Sequence, residues 1–150
     1  MRTCQSKLAA STGHTLIEIT IVLGIMAVLT AAAMQGWQHL VRRQQRAEAK
    51  AAVLQVMQQQ ESHRSRHGRY QPFDLTAPGS FRWHSGPTPA ESAYAISAVA
   101  CAGMSTARCV TVLAQPGGAG VRPGHGDPDC GVLRMDSLGV QQADGDASCW

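Results

Sequence analysis

The residues able to do chemistry fall into separate groups, and each group asks for a different partner. His63 and His67 stand at i, i+4, the spacing at which two ring nitrogens share a helix face and can hold a metal. No third ligand is evident beside them, so a solvated helix end is the simpler reading. Asp127 and Asp129 flank Pro128 and offer oxygens to a hard cation such as Ca²⁺, but no fuller ligand set accompanies them. No metal and no cofactor is therefore expected. Arg64, Arg66, Arg69 and Arg82 are interleaved with Tyr70, Phe81 and Trp83. Cations mixed with flat rings are what polyanion surfaces use, so these four arginines are candidate DNA contacts. The competing reading is that they flank a structural junction. Serines, histidines and aspartates form no nucleophile elbow, zinc-protease helix motif or phosphate loop, and no enzyme is expected.

Glu18 is out of place. It sits at the start of an apolar run, and no Asp, Glu, Lys or Arg follows from Ile19 to Val41, a stretch of 23 residues. About 20 residues at roughly 1.5 Å each cross a bilayer core. A carboxylate inside such a helix costs about 2.5–3.5 kcal/mol on insertion scales unless a cation meets it. Ahead of the run, MRTCQSKLAASTG is polar and basic, the reverse of a secretory signal, whose apolar core precedes its cleavage site. Basic residues flank both ends of the run, so charge bias does not fix its orientation.

Five cysteines are present, Cys4, Cys101, Cys109, Cys130 and Cys149, with four of them late in the chain. No close pair of the Cys-x-x-Cys kind occurs, which favours disulfides in an oxidising compartment over metal. Four cysteines allow three connectivities. Staples suit a chain of 150 residues with 5% aromatics and a net charge of only +3, since one modest core must hold the domain.

The elements that must position these groups are legible. VRRQQRAEAKAAVLQVMQQQESHRSR continues the helix without Pro or Gly. The pattern predicts one helix over about residues 15–66, with Gly68 as its stop. Ala47, Ala51, Leu54 and Met57 recur at helical spacing and are the expected core stripe. Residues 71–92 read as irregular. Strand-like runs follow at 93–100, 109–114 and 131–136, with VQQ (140–142) as an edge strand, and antiparallel pairing suits the short connections. Residues 42–69 carry seven basic residues and two acids, whereas 120–150 carry five acids and two basics. Solvated faces or complementary packing between stacked subunits both account for this polarity.

Gly13-His14-Thr15-Leu16-Ile17-Glu18, after a short basic leader and before the apolar run, resembles the type IV pilin signature. GRY after the long helix, the Cys130-Gly-Val-Leu-Arg-Met-Asp-Ser-x-Gly stretch and the terminal Cys149-Trp150 resemble minor pilins of the PilE type. The likeness is strongest at 13–70 and 129–150 and weak between. It implies an α+β pilin fold, with a long N-terminal helix packed on a small antiparallel sheet and a disulfide-closed C-terminal loop. It implies a leader over 1–13, a transmembrane and assembly helix over 14–41, and a periplasmic or extracellular head over 42–150. Cleavage after Gly13 by a prepilin peptidase and N-methylation of His14 follow from it, as does a role for Glu18 in docking one subunit on the next. Cys130 then pairs with Cys149, leaving Cys101 with Cys109, and Cys4 departs with the leader. His14 stands where Phe is usual. Met34-Gln35 stands where many members carry a helix-kinking Pro, which leaves Gly24 and Gly36 as the soft points.

The expected function is that of a pilus subunit, a minor one, serving pilus assembly, motility, adhesion or DNA uptake. Its expected partners are other pilins, the peptidase, the inner-membrane assembly machinery, the membrane itself and DNA. The expected location is the bacterial inner membrane, single-pass, and the cell surface after assembly. Two alternatives share the leader and helix: a pseudopilin of a type II secretion system, against which the cysteine pairs argue, and a DNA-capturing competence pilin.

Overall fold

The computed structural model describes residues 15–150. The chain divides into two compact units between His39 and Leu40, and a helix, α1 (Leu16–His67), runs through the division. In the first unit Thr15 starts α1. Its carbonyl accepts from Glu18 N at 3.0 Å, and its Oγ1 from the same N at 3.4 Å, the capping geometry that a Thr-x-x-Glu sequence favours. Ile17, Ile21, Leu23, Ile25, Val28 and Leu29 are all exposed. This part of α1 is apolar on every side, and the helix is long and apolar enough to cross a membrane.

In the second unit the rest of α1 lies on a four-stranded sheet. Strands β1 (Tyr94–Ala100), β2 (Val110–Pro116), β3 (Leu133–Asp136) and β4 (Gln141–Ala143) are arranged in sequence order, each antiparallel to the next. Alternation along the strands turns Tyr94, Ile96 and Ala98, then Val110, Val112 and Ala114, then Leu133 toward α1. The helix answers with Ala49, Ala52, Val53, Val56 and Met57. The stripe expected from sequence is corrected here: Ala47, Ala51 and Leu54 are exposed, and only Met57 of that set is buried. An offset of two residues turns about 200° around a helix, so the true stripe starting at Ala49 is on the opposite face. Alanines occupy both faces, and Val53 and Val56 decide which one is buried.

Residues 71–92 form no regular element but close the outer edge of β1. Phe73 N and Ala98 N each donate to the other residue's carbonyl at 2.9 Å, and Ile96 N donates to Trp83 O at 2.8 Å. An edge covered in this way is not left as a pairing template. Gly68, with φ +73°, ends α1 and donates to Arg64 O at 2.8 Å.

Two disulfides staple the second unit. Cys101–Cys109 closes the β1–β2 turn, with Cα atoms 5.5 Å apart. Cys130–Cys149 ties the chain end to the approach of β3, with Cα atoms 5.6 Å apart and both cysteines in the core. These are the pairs the resemblance implied. By loop entropy they contribute about 2.5 and about 3 kcal/mol. Gly145 lets the tail lie against this staple: a Cβ there would collide with the Asp129 carbonyl.

Candidate nucleic-acid interface

The C-terminal end of α1 and the disulfide-closed turn between β1 and β2 meet at one end of the second unit. Tyr70 N donates to Thr106 O at 2.9 Å. This bond sets Arg69 beside the turn that carries Arg108. His63, His67, Arg69 and Thr106 line one hollow there of about 460 Å³. Arg66 and Arg69 are exposed on the helix side and Arg108 on the turn. Arg66 is braced by its own helix, donating from Nε to Ser62 O at 3.1 Å and from Nη2 to Ser62 Oγ at 3.2 Å.

The other two candidate arginines are engaged within the protein. Arg64 donates to Tyr70 OH at 2.9 Å and covers the Tyr70 ring at 5.0 Å, while Tyr70 OH donates to Glu61 at 2.6 Å. Arg82 donates to the carbonyls of His84, Ser85 and Gly86 at 2.9, 2.7 and 2.9 Å, and to Gln55 Oε1. That guanidinium braces a loop, with four of its five N–H donors used inside the protein. The aromatics interleaved with these arginines are core residues: Tyr70 and Phe81 are buried, and Phe81 stacks on Phe73 at 5.0 Å. Trp83 packs half-buried against the same cluster. Sequence reading missed Arg108, whose only signal was its place between two cysteines eight residues apart.

His63 and His67 stack at 4.1 Å, and each Nδ1 reaches a backbone carbonyl at 3.0 Å, that of Arg69 and that of His63 respectively. Among the described residues no group of three or more His, Cys, Asp or Glu is arranged to hold a metal. Asp127 is engaged by protein donors. Arg46 Nε and Tyr94 OH each donate to its Oδ2 at 2.6 Å, and Arg46 Nη2 donates to its Oδ1. Burial alone would raise the Asp127 pKa, but the hydrogen bonds from Arg46 and Tyr94 and the Arg46 charge outweigh it and bring it to about 2. Tyr94 moves up, through burial and then through Asp127. Arg46 also reaches Asp129 at 2.8 Å, and Arg42 lies 3.9 Å from Asp129. The opposite charges of the two segments therefore meet, in part, inside one subunit.

Glu18 is exposed in the first turn of α1. Gly13 and His14, the expected cleavage and methylation positions, lie outside the described residues, as does Cys4.

No curated protein matches the chain. A solved type IV pilin from Shewanella oneidensis is similar at 24% identity and a TM-score of 0.44, over 70% of this chain and 92% of that one. Residues 36–134 match the family described as "Type IV minor pilin ComP, DNA uptake sequence receptor". That match spans about two thirds of the 150 residues, and the chain belongs to this family of type IV minor pilins.

Proposed function

We propose that this minor pilin is a DNA-receptor subunit, with Arg66, Arg69 and Arg108 gripping the phosphate backbone at the end of the head where α1 stops. The meeting of the end of α1 with the disulfide-closed β1–β2 turn, each carrying exposed arginine, carries the reading. Arg66 and Arg69 come from α1 and its end, Arg108 from a turn stapled by Cys101–Cys109. A cross-linked turn loses less freedom on binding, so less affinity is spent on ordering it. The family's description as a DNA uptake sequence receptor supports the same reading.

In this reading residues 1–13 are a leader removed by a prepilin peptidase and residues 14–41 hold the subunit in the inner membrane as a single span. Residues 42–150 form the head, which reaches the surface when the filament assembles from this and other pilins. The cation that Glu18 needs is the new amine of His14 on its own or a neighbouring chain.

The test uses the full chain in detergent and a fluorescent duplex, titrated between about 50 and 200 mM salt. Wild type should bind with a steep salt dependence. Arg66→Gln, Arg69→Gln and Arg108→Gln combined should flatten the slope of log K against log salt by about 2.7, since each phosphate contact contributes about 0.9. Absence of duplex binding by wild type at the lowest salt would end the proposal.

A further inference from the structure

Beside the arginine end lies a groove that Arg66 borders. It runs between α1 and residues 79–87 and consists of two adjoining hollows of about 450 and 520 Å³, the size range of small-ligand sites. Gln55, Gln59, Ser80 and Phe81 line both hollows. Gln58 and Arg66 border one and Trp83 the other.

The hydrogen bonds fix what this groove displays. Arg82 N donates to Gln59 Oε1 at 3.1 Å, and the Arg82 guanidinium donates to Gln55 Oε1. An arginine can only donate, so both amide oxygens are turned toward Arg82. The two NH₂ groups make no hydrogen bond among the described residues, and they are amide donors left for the groove. Ser80 and the exposed Gln58 add further donors, and no carboxylate lines the space. A donor-rich wall that includes the braced Arg82, with the Arg66 guanidinium at its border, suits a ligand rich in acceptors with a phosphate next to it. Of the four bases, guanine offers two acceptors, N7 and O6, side by side. Adenine and cytosine present amino donors at that edge, and thymine a single acceptor. A concave groove admits a base edge only when the base is free of its duplex, and Trp83 offers such a base a ring to lie against.

We infer that this groove holds an unpaired guanine of a DNA strand whose phosphate is held by Arg66. The inference rests on the DNA-receptor reading and adds base preference to it.

The experiment measures binding of the full chain in detergent to three single-stranded 12-mers: all thymidine, thymidine with two central guanines, and the same with 7-deazaguanine, which lacks the N7 acceptor. The guanine strand should bind about five- to tenfold more tightly than thymidine alone, within the range of one good base contact. The 7-deaza strand should lose most of that preference. Gln58→Ala, an exposed change, should reduce the preference at least threefold and leave thymidine binding and its salt slope unchanged. Arg66→Gln should weaken all three strands. Equal affinity of wild type for the guanine and thymidine strands, or an undiminished preference in Gln58→Ala, would overturn the inference. Binding of duplex but of no single strand would overturn it alone, and binding of neither would overturn the receptor reading with it.

Discussion

Replacing Asp127 with Ala tests what holds the long loop between β2 and β3 against α1. Asp127 is 5% exposed, and Tyr94, which donates to it, is 1% exposed. Removal of the carboxylate leaves the Tyr94 hydroxyl buried without its acceptor, which costs about 1–3 kcal/mol. It also takes from Arg46 two charge-assisted bonds, each worth about 1.5–3 kcal/mol. Arg46 recovers part of this, because its side chain is 18% exposed and keeps Asp129 at 2.8 Å. The expected loss is about 3–5 kcal/mol, the range for a buried pair deprived of one partner. Asp127→Asn retains an acceptor for Tyr94 and should recover about 1–2 kcal/mol of it. The assay is guanidinium unfolding of the full chain in detergent, read by near-UV circular dichroism. The midpoint should fall with an unchanged slope. A double-mutant cycle with Arg46→Met should show coupling of at least about 2 kcal/mol. The same carboxylate sets an acid limb. Its native pKa of about 2 lies below the ordinary 3.8, so its contribution is complete above about pH 4 and fades as pH falls toward 2. That limb amounts to about 2 kcal/mol and should be missing in Asp127→Ala. Next to it the His125 pKa is lowered by burial and then by Arg122, so a further loss should begin as pH falls below the ordinary 6.5. A cost under about 1 kcal/mol for Asp127→Ala, or an acid limb between pH 4 and 2 that survives it, would refute the argument.

Two further outcomes concern the first unit. Mass measurement of the chain from a membrane with a prepilin peptidase should give a product beginning at His14, and Gly13 replaced by a bulky residue should leave the precursor intact; a product beginning at Met1 would contradict this. Glu18→Val should remain processed and membrane-bound, gaining a few kcal/mol of insertion energy, yet fall several-fold in the ratio of filament to membrane subunit; an unchanged ratio would mean that the carboxylate is only an interfacial residue.

Local pattern carried the elements, and distance in sequence hid the contacts. The short runs AYAISAVA and CVTVLA became β1 and β2 within a few residues of their expected ends. The length of α1 followed from an unbroken run of helix formers stopped by Gly68. The face of α1 was not legible, because Ala47 and Ala51 carry the same helical spacing as Ala49 and Val53, and only the sheet selects between them. Arg46 and Asp127 stand 81 residues apart, and nothing local to either names the other. The aromatic interleaving of the arginine cluster misled for a related reason. In a chain with few aromatics the core needs them first, so Tyr70 and Phe81 went inside.

The structure separates basic residues of 42–69 that composition could not tell apart. Arg42 and Arg46 lie against Asp129, and Arg46 against Asp127 as well; their charge is balanced by the acidic loop and works for the fold. Arg66 and Arg69 stand near the other end of that helical stretch, and the ion pairs among the described residues do not include them. A net charge of +3 spread evenly would give a weak field. Internal pairing near Arg46 removes acids and bases together, and Arg66, Arg69 and Arg108 stand outside the ion pairs of the described residues. A local patch of that kind draws a polyanion even when the whole chain is only mildly basic. The asymmetry also predicts where substitutions act: Arg46 variants should change unfolding and leave the salt slope of DNA binding alone, and Arg69 variants the reverse. A variant series in which both measurements moved together would mean that fold and binding draw on the same charges.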